Sequence, residues 1–314
     1  MASVRERIVA AGYIAGWIIV GALPQRLTAR AAQWAADRAS GDGAGMEMLR
    51  RNLTRVVGPE NVTRELVRDA MRSYARYWLE AFRLPRMVGD PGLNAALSAG
   101  VSGREHLDAA VARVKGVVLT LPHTGNWDMA GTWLAANYGG FTTVAERLEP
   151  EALFDAFVMF RESLGFEVVP LTGGEQPPFE RLKEVLLDGG IVCLLGERDF
   201  SRHGVPVTFF GEETTFPAGP AKLARDTGAT LLVAHSWFTG TWRNPGWGFS
   251  ISAPVEAATL EDTAQRVADQ FAENIAAHPT DWHMLQPLWP ADRRKPSRRR
   301  ELERRSREHR KRRR

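Results

Sequence analysis

Leu119-Thr120-Leu121-Pro122-His123-Thr124-Gly125-Asn126-Trp127-Asp128 is the stretch on which the fold turns. The apolar run Val117-Val118-Leu119 reads as a buried strand, and a helical pattern begins near Met129 and runs through Leu134 to Tyr138. Pro122 and Gly125 punctuate the crossing, so His123 is expected on a strand-to-helix turn at the carboxyl end of its strand. Open α/β sheets bind ligands at that end of their strands.

A neutral imidazole takes a proton with one ring nitrogen while a carboxylate bonded to the other fixes its tautomer and stabilises the imidazolium. A five-residue offset separates two side chains on a continuous helix, whereas a tight turn that becomes a helix can curl Asp128 back beneath His123. The spacing alone fits a structural loop as well. No G-x-S-x-G nucleophile elbow precedes the histidine, which favours direct proton abstraction from an alcohol over a covalent enzyme intermediate.

Outward from this stretch, the strands and helices alternate. Strands are expected near 141–145, Phe166–Leu171, Ile191–Leu195, Thr230–Ser236 and Gly248–Pro254. Helices are expected from about Pro150 to Leu164, Pro178 to Leu187, Gly219 to Asp226, and from a Thr259 cap to Ala277. Upstream, Ser102-Gly103-Arg104-Glu105 reads as a capping box opening a helix to Arg113. From Asn61 a helix carries Leu66, Ala70, Tyr74, Trp78 and Phe82 along one ridge, with Pro85 as its end, and residues 28–39 form a helix capped by Thr28. The pattern predicts an α/β fold with a central mixed β-sheet flanked by helices, preceded by membrane-associated N-terminal helices. Residues 1–290 read as one domain and 291–314 as an Arg-rich, disordered tail.

The apolar run Ile8–Leu23 would make a helix of about 24 Å, short of the ~30 Å hydrocarbon core. It is read as an interfacial helix within residues 1–24, with an internal helix as the alternative. The net charge of +4 hides a division. Residues 291–314 hold 14 Lys+Arg and 4 Asp+Glu, a balance of +10, which leaves −6 for the rest (4 minus 10). An acidic body argues against a dedicated nucleic-acid protein, and the tail suits anionic lipid headgroups. The lone Cys193 cannot form an internal disulfide and reads as core packing. His235 and His283 lack metal-ligand spacing and read as structural, and no metal, P-loop or dinucleotide pattern is present.

The sequence Leu-Pro-His-Thr-Gly-Asn-Trp-Asp resembles the first signature of the glycerolipid and lysophospholipid acyltransferase superfamily. It is most similar to the branch that holds lipid A lauroyl acyltransferases and actinobacterial phosphatidylinositol mannoside acyltransferases, the latter type in particular. The likeness covers roughly residues 100–290 in four ordered blocks: the His123 stretch, Phe160-Arg161-Glu162-Ser163-Leu164-Gly165, Gly196-Glu197-Arg198-Asp199, and Phe216-Pro217-Ala218-Gly219-Pro220. It implies an acyl-CoA-dependent O-acyltransferase without a cofactor, with His123 as base and Asp128 and Glu197 as candidate carboxylates. Which of the two orients the imidazole stays open. Arg161 matches the arginine that meets a phosphate or other headgroup, and Glu146 follows a strand where it can face the acceptor. The polar, cationic loop of Arg198, Ser201, Arg202 and His203 is a candidate for the phosphates of coenzyme A.

The resemblance further implies palmitoyl-CoA as donor and a mannose of a phosphatidylinositol mannoside as acceptor. The place of work would be the cytoplasmic face of the cell membrane, with peripheral or monotopic attachment. Two alternatives stand beside it. One is acylation of another glycolipid, such as a lipid A precursor, or of a lysophospholipid. The other is a non-catalytic anionic-membrane or nucleic-acid binding protein acting through the basic tail.

Overall fold

The computed structural model describes residues 12, 16–17, 19–147, 151–174, 176–199, 203–256 and 259–293. Seven strands form one mixed sheet in the order β1-β9-β8-β2-β5-β3-β4. They are β1 (Val101–Ser102), β2 (Val117–Leu121), β3 (Phe141–Ala145), β4 (Phe166–Pro170), β5 (Ile191–Leu195), β8 (Thr230–Gly240) and β9 (Pro245–Ile251). Strands β8, β2, β5, β3 and β4 run parallel, while β9 returns antiparallel along β8. Of these, β2, β3, β4 and β5 are five residues each and mostly apolar, as strands covered on both faces must be.

Helices cover both faces. One core joins Leu182 and Leu186 of α8 (Pro178–Leu187), Leu223 of α9 (Gly219–Thr227) and Phe271 of α10 (Leu260–Ala277) to Val118 and Val192 of the sheet. The other joins α4 (Pro91–Ala99), α5 (Arg104–Ala112), α6 (Trp127–Tyr138) and α7 (Glu151–Ser163) to Leu119, Leu232 and Phe249. Along β2, β5 and β8, alternate residues feed alternate cores, which is the period-2 rule of a sheet buried on both sides. A third cluster packs α1 (Gln25–Ala39) and α2 (Glu47–Val57) against α3 (Arg64–Met87).

The chain leaves β2 to build β3 and β4 on one side, returns to insert β5 beside β2, then crosses to β8 on β2's other side. The strand order therefore reverses at β2. That reversal opens a crevice at the carboxyl ends of β2 and β5, where open α/β sheets bind ligands.

Several local expectations are corrected. Helix α1 starts at Gln25 behind Pro24, and Thr28 lies inside it with its hydroxyl bonded to the Gln25 carbonyl. Helix α3 runs through Pro85 to Met87, because a proline in the last turn forfeits only one ladder bond. Ser102 belongs to β1 and donates to the Phe249 carbonyl, so α5 is entered through Gly103 at φ +72° without a side-chain cap. The hairpin of β6 (Val205–Phe209) and β7 (Glu212–Phe216), and helices α2 and α4, were not expected from the sequence. Half of Ile8–Leu23 and all of 294–314 lie outside the described residues. Among the described residues, no helix is long and apolar enough to cross a membrane.

Candidate active site

His123 follows β2, and Glu197 follows β5 after the intervening Gly196. Parallel pairing places Leu121 opposite Leu195, so the two side chains emerge side by side. The main-chain N–H of His123 donates to Oε1 of Glu197 at 2.6 Å, and ring Nδ1 lies 2.9 Å from the same oxygen. Glu197 is fully buried, while the imidazole keeps 18% of its surface exposed. Burial alone would raise the Glu197 carboxyl. The charge of His123 and its two hydrogen bonds outweigh burial and hold it below the usual range. An ionised carboxylate can only accept, so Nδ1 carries the ring proton and Nε2 keeps a free lone pair.

Asp128 does not curl beneath His123, which corrects the sequence expectation. It sits in the first turn of α6, capped by Asn126, whose Oδ1 accepts from the Met129 N–H. From there its carboxylate points toward α3 and α7. Oδ1 accepts from Arg161 Nε at 3.0 Å, and Oδ2 accepts from the Tyr77 hydroxyl at 3.0 Å. Burial opposes the charge on Arg161, yet the Asp128 carboxylate beside it more than offsets this and raises its pKa. Asp128 thus fixes the guanidinium, and Glu197 fixes the imidazole.

The turn itself is braced from three sides. The side chain of Asn126 donates to Glu80, a buried carboxylate that also accepts from Arg76 and from the Trp247 indole. Gly125, at φ +53°, comes so close to the main chain of Ser236 that a Cβ would meet its carbonyl at 2.6 Å. The segment after α10 closes the third side. Gly125 donates to the Asp281 carbonyl, His283 donates to the His123 carbonyl, and Thr124 pairs with Trp282 as a single β-bridge.

Two cavities meet here. A broad cleft is lined by His123, Arg161, Glu146, Arg198 and His203, together with Tyr77 and His283. An apolar cavity between α6 and the sheet adjoins it, sharing Trp127, Val144, Arg161 and Leu195. The structure therefore brings His123, Arg161, Glu146, Arg198 and His203 to one cleft, with Glu197 buried behind His123, and Arg202 lies outside the described residues. Arg198 also donates to Gln286 at 3.1 Å. Cys193 is a free thiol on the wall of the apolar cavity, its pKa pushed up by burial. Among the described residues, no group of His, Cys, Asp and Glu could hold a metal ion.

Two residues of the cleft escaped the sequence reading. Tyr77 lies on the aromatic ridge of α3 beside Tyr74 and Trp78, which also line the cleft. His283 was read as structural, but its ring lines the same cleft. Ser73 donates to Asp281 at 2.6 Å and so accepts from His283 Nε2 at 3.0 Å, which leaves Nδ1 buried without a partner. Burial, with the nearby His123 charge, lowers the His283 pKa to about 3. His235 instead lies on the opposite face of β8, bonded to Thr124 and stacked on Trp237.

Residues 3–291 match the family described as bacterial lipid A biosynthesis acyltransferase. The chain is 54% identical over 286 residues to a phosphatidylinositol mannoside acyltransferase of Mycolicibacterium smegmatis, covering 90% of this chain and 91% of the relative. It is 52% identical over 284 residues to the Mycobacterium tuberculosis H37Rv protein of the same name, covering 89% and 88%.

Proposed function

The chain belongs to the bacterial lipid A biosynthesis acyltransferase family, and from that premise we propose a phosphatidylinositol mannoside O-acyltransferase using palmitoyl-CoA. The single observation that carries the reading is the His123–Glu197 pair at the meeting point of an open polar cleft and an apolar cavity. A reaction between a polar hydroxyl and a fatty acyl thioester needs such a junction. It also needs a base there.

In the proposed reaction His123 Nε2 takes the proton of a mannose hydroxyl. The oxygen attacks the thioester carbonyl carbon, and the carbon–sulfur bond breaks. Coenzyme A leaves as its thiol, with the proton returned by the imidazolium. Glu197 orients the ring and stabilises its charged form. Arg161, held by Asp128 and Tyr77 at the shared mouth, suits a phosphate or carbonyl oxygen, and Glu146 suits sugar hydroxyls. Arg198, Arg202 and His203 are assigned to the coenzyme A phosphates.

The same reading places the enzyme on the cytoplasmic face of the membrane. Ile19, Leu23, Leu27 and Trp34 are exposed at helical spacing along the N-terminal helices, and the arginine tail adds attraction to anionic lipid. The test is transfer from palmitoyl-CoA to phosphatidylinositol dimannoside by purified protein beside His123→Ala. Product formed by the wild type and lost in the variant is expected. Equal rates in both would refute the base assignment.

A further inference from the structure

Residue 126 stands where the turn of His123 becomes a helix, and its side chain serves two partners there. Oδ1 of Asn126 accepts from the Met129 N–H at 3.0 Å and so caps α6. Nδ2 donates to Oε2 of Glu80 at 2.9 Å. Asparagine, aspartate and serine cap helices about equally well. An ionised aspartate has no proton to donate, and a serine carries donor and acceptor on one short arm. Asparagine alone reaches the helix with one atom and the carboxylate with another.

Glu80 is fixed from the other side before it meets the turn. Its Oε1 accepts from Arg76 Nε at 2.7 Å, and Oε2 accepts from the Trp247 indole at 2.7 Å as well as from Asn126. Arg76 donates in turn to the main-chain carbonyls of Thr239 and Gly246, and its guanidinium lies 4.1 Å over the Phe238 ring. One buried carboxylate is thereby held by α3 and by both strands of the β8–β9 hairpin. Burying an ion pair is costly, and apolar side chains of the same volume fill a core as well or better. Packing alone does not account for the pair. A fixed acceptor for Asn126 does.

The first turn of α6 hangs on residue 126. Trp127 comes next, edge-on to the His123 ring at 5.6 Å between centroids and 4.0 Å from the Tyr77 ring. Asp128 follows and holds Arg161. Both Asn126 and Glu80 are buried, and neither lines the cleft or the apolar cavity. We infer that Asn126 is a positioning residue for the transfer reaction: through it Glu80 sets where α6 begins, and so how Trp127 meets His123 and Asp128 meets Arg161. The inference rests on the reading of His123 as the base.

The experiment measures kcat, the KM of palmitoyl-CoA and the melting temperature in the full-length wild type, Asn126→Asp, Asn126→Ser and Glu80→Gln. Asn126→Asp keeps the cap, loses the donor and sets two carboxylates face to face. A misplacement of ~1 Å can cost about 100-fold, so kcat should fall about 10- to 100-fold with KM within about threefold. Facing carboxylates share a proton, whose hydrogen bond replaces that of the amide, so kcat relative to wild type should climb at least about threefold from about pH 8 to pH 6. Asn126→Ser is a neutral cap with the same lost reach. It should lower kcat without the rescue by acid, and it decides the matter where the aspartate variant folds poorly. Glu80→Gln still presents an oxygen to Asn126 and Trp247, so it should lower the melting temperature by stranding Arg76 and lower kcat less than Asn126→Asp does. Wild-type kcat in either variant of residue 126 overturns the assignment. So does a loss in Asn126→Asp that acid leaves untouched or that Glu80→Gln equals. Activity kept by His123→Ala in the same assay overturns the base reading instead.

Discussion

Replacing Glu197 with glutamine separates the charge of the buried carboxylate from its shape. The amide oxygen can still accept from the His123 main-chain N–H and from Nδ1–H, which now lie 2.6 and 2.9 Å from Oε1. What is lost, on the proposed mechanism, is the negative charge that faces the imidazolium when Nε2 takes its proton. With charge centres about 4 Å apart and an effective dielectric of about 20, that attraction is worth about 4 kcal/mol. The amide bond that remains recovers part of it, since a neutral hydrogen bond has roughly half the strength of a charge-assisted one. A loss of about 3 to 4 kcal/mol in the transition state corresponds to about 100- to 1,000-fold in kcat, at 1.36 kcal/mol per tenfold. KM should stay within about twofold, because Glu197 is fully buried and out of reach of substrate. Release of the coenzyme A thiol, followed with a thiol-reactive chromophore, gives both constants, and a thermal melt confirms the fold. A Glu197→Gln enzyme within about threefold of wild-type kcat would refute the role of the buried charge.

Asp128→Asn should act differently, by leaving the mostly buried Arg161 without its counter-charge. Breaking such a pair costs about 3 kcal/mol or more, so a lower melting temperature and a raised acceptor KM are expected. Stability should also fall with acidification. His235 and His283 have pKa values near 3 in the folded protein and about 6.5 unfolded, so below pH 6.5 the unfolded chain takes up protons that the native state refuses. At pH 4 this amounts to about 3 kcal/mol for each histidine, and His235→Gln and His283→Gln should each flatten the fall in urea midpoint between pH 7 and 4. Identical slopes in wild type and variants would count against it. Gly125→Ala combines a left-handed φ with a contact against the Ser236 carbonyl, and should cost about 2 kcal/mol or more in a denaturant titration while lowering kcat. A fully active, equally stable alanine variant would show that the turn is looser than its geometry.

Most of the sheet was legible because its strands are short apolar runs bounded by glycine and proline, as in Ile191–Leu195 between Gly190 and Gly196. Helix α8 was bounded residue for residue by Pro178, which cannot sit deeper in a helix, and by the Asp188–Gly190 exit. The β6–β7 hairpin was not legible. Its turn residues are Phe210 and Gly211, both at positive φ, and phenylalanine gives no turn signal. At the site, strand-end reasoning found His123 and Glu197, since parallel register brings residues that follow adjacent strands together. The partner of Asp128 was beyond such reasoning. It depends on where α3 and α7 pack, which no spacing within the stretch encodes. His283 was missed for the same reason, being 160 residues from the His123 carbonyl it bonds.

That separation has a consequence for how the enzyme comes into being. Amino-terminal domains begin to fold while synthesis continues. Here the loop bearing His123 is clamped by Asp281, Trp282 and His283, which leave the ribosome after every strand of the sheet. A nascent or prematurely ended chain can build the sheet through β9 and still lack a finished turn at His123. Catalytic competence is thus a late event in the life of each molecule, and fragments released early would be inert as acyltransferases.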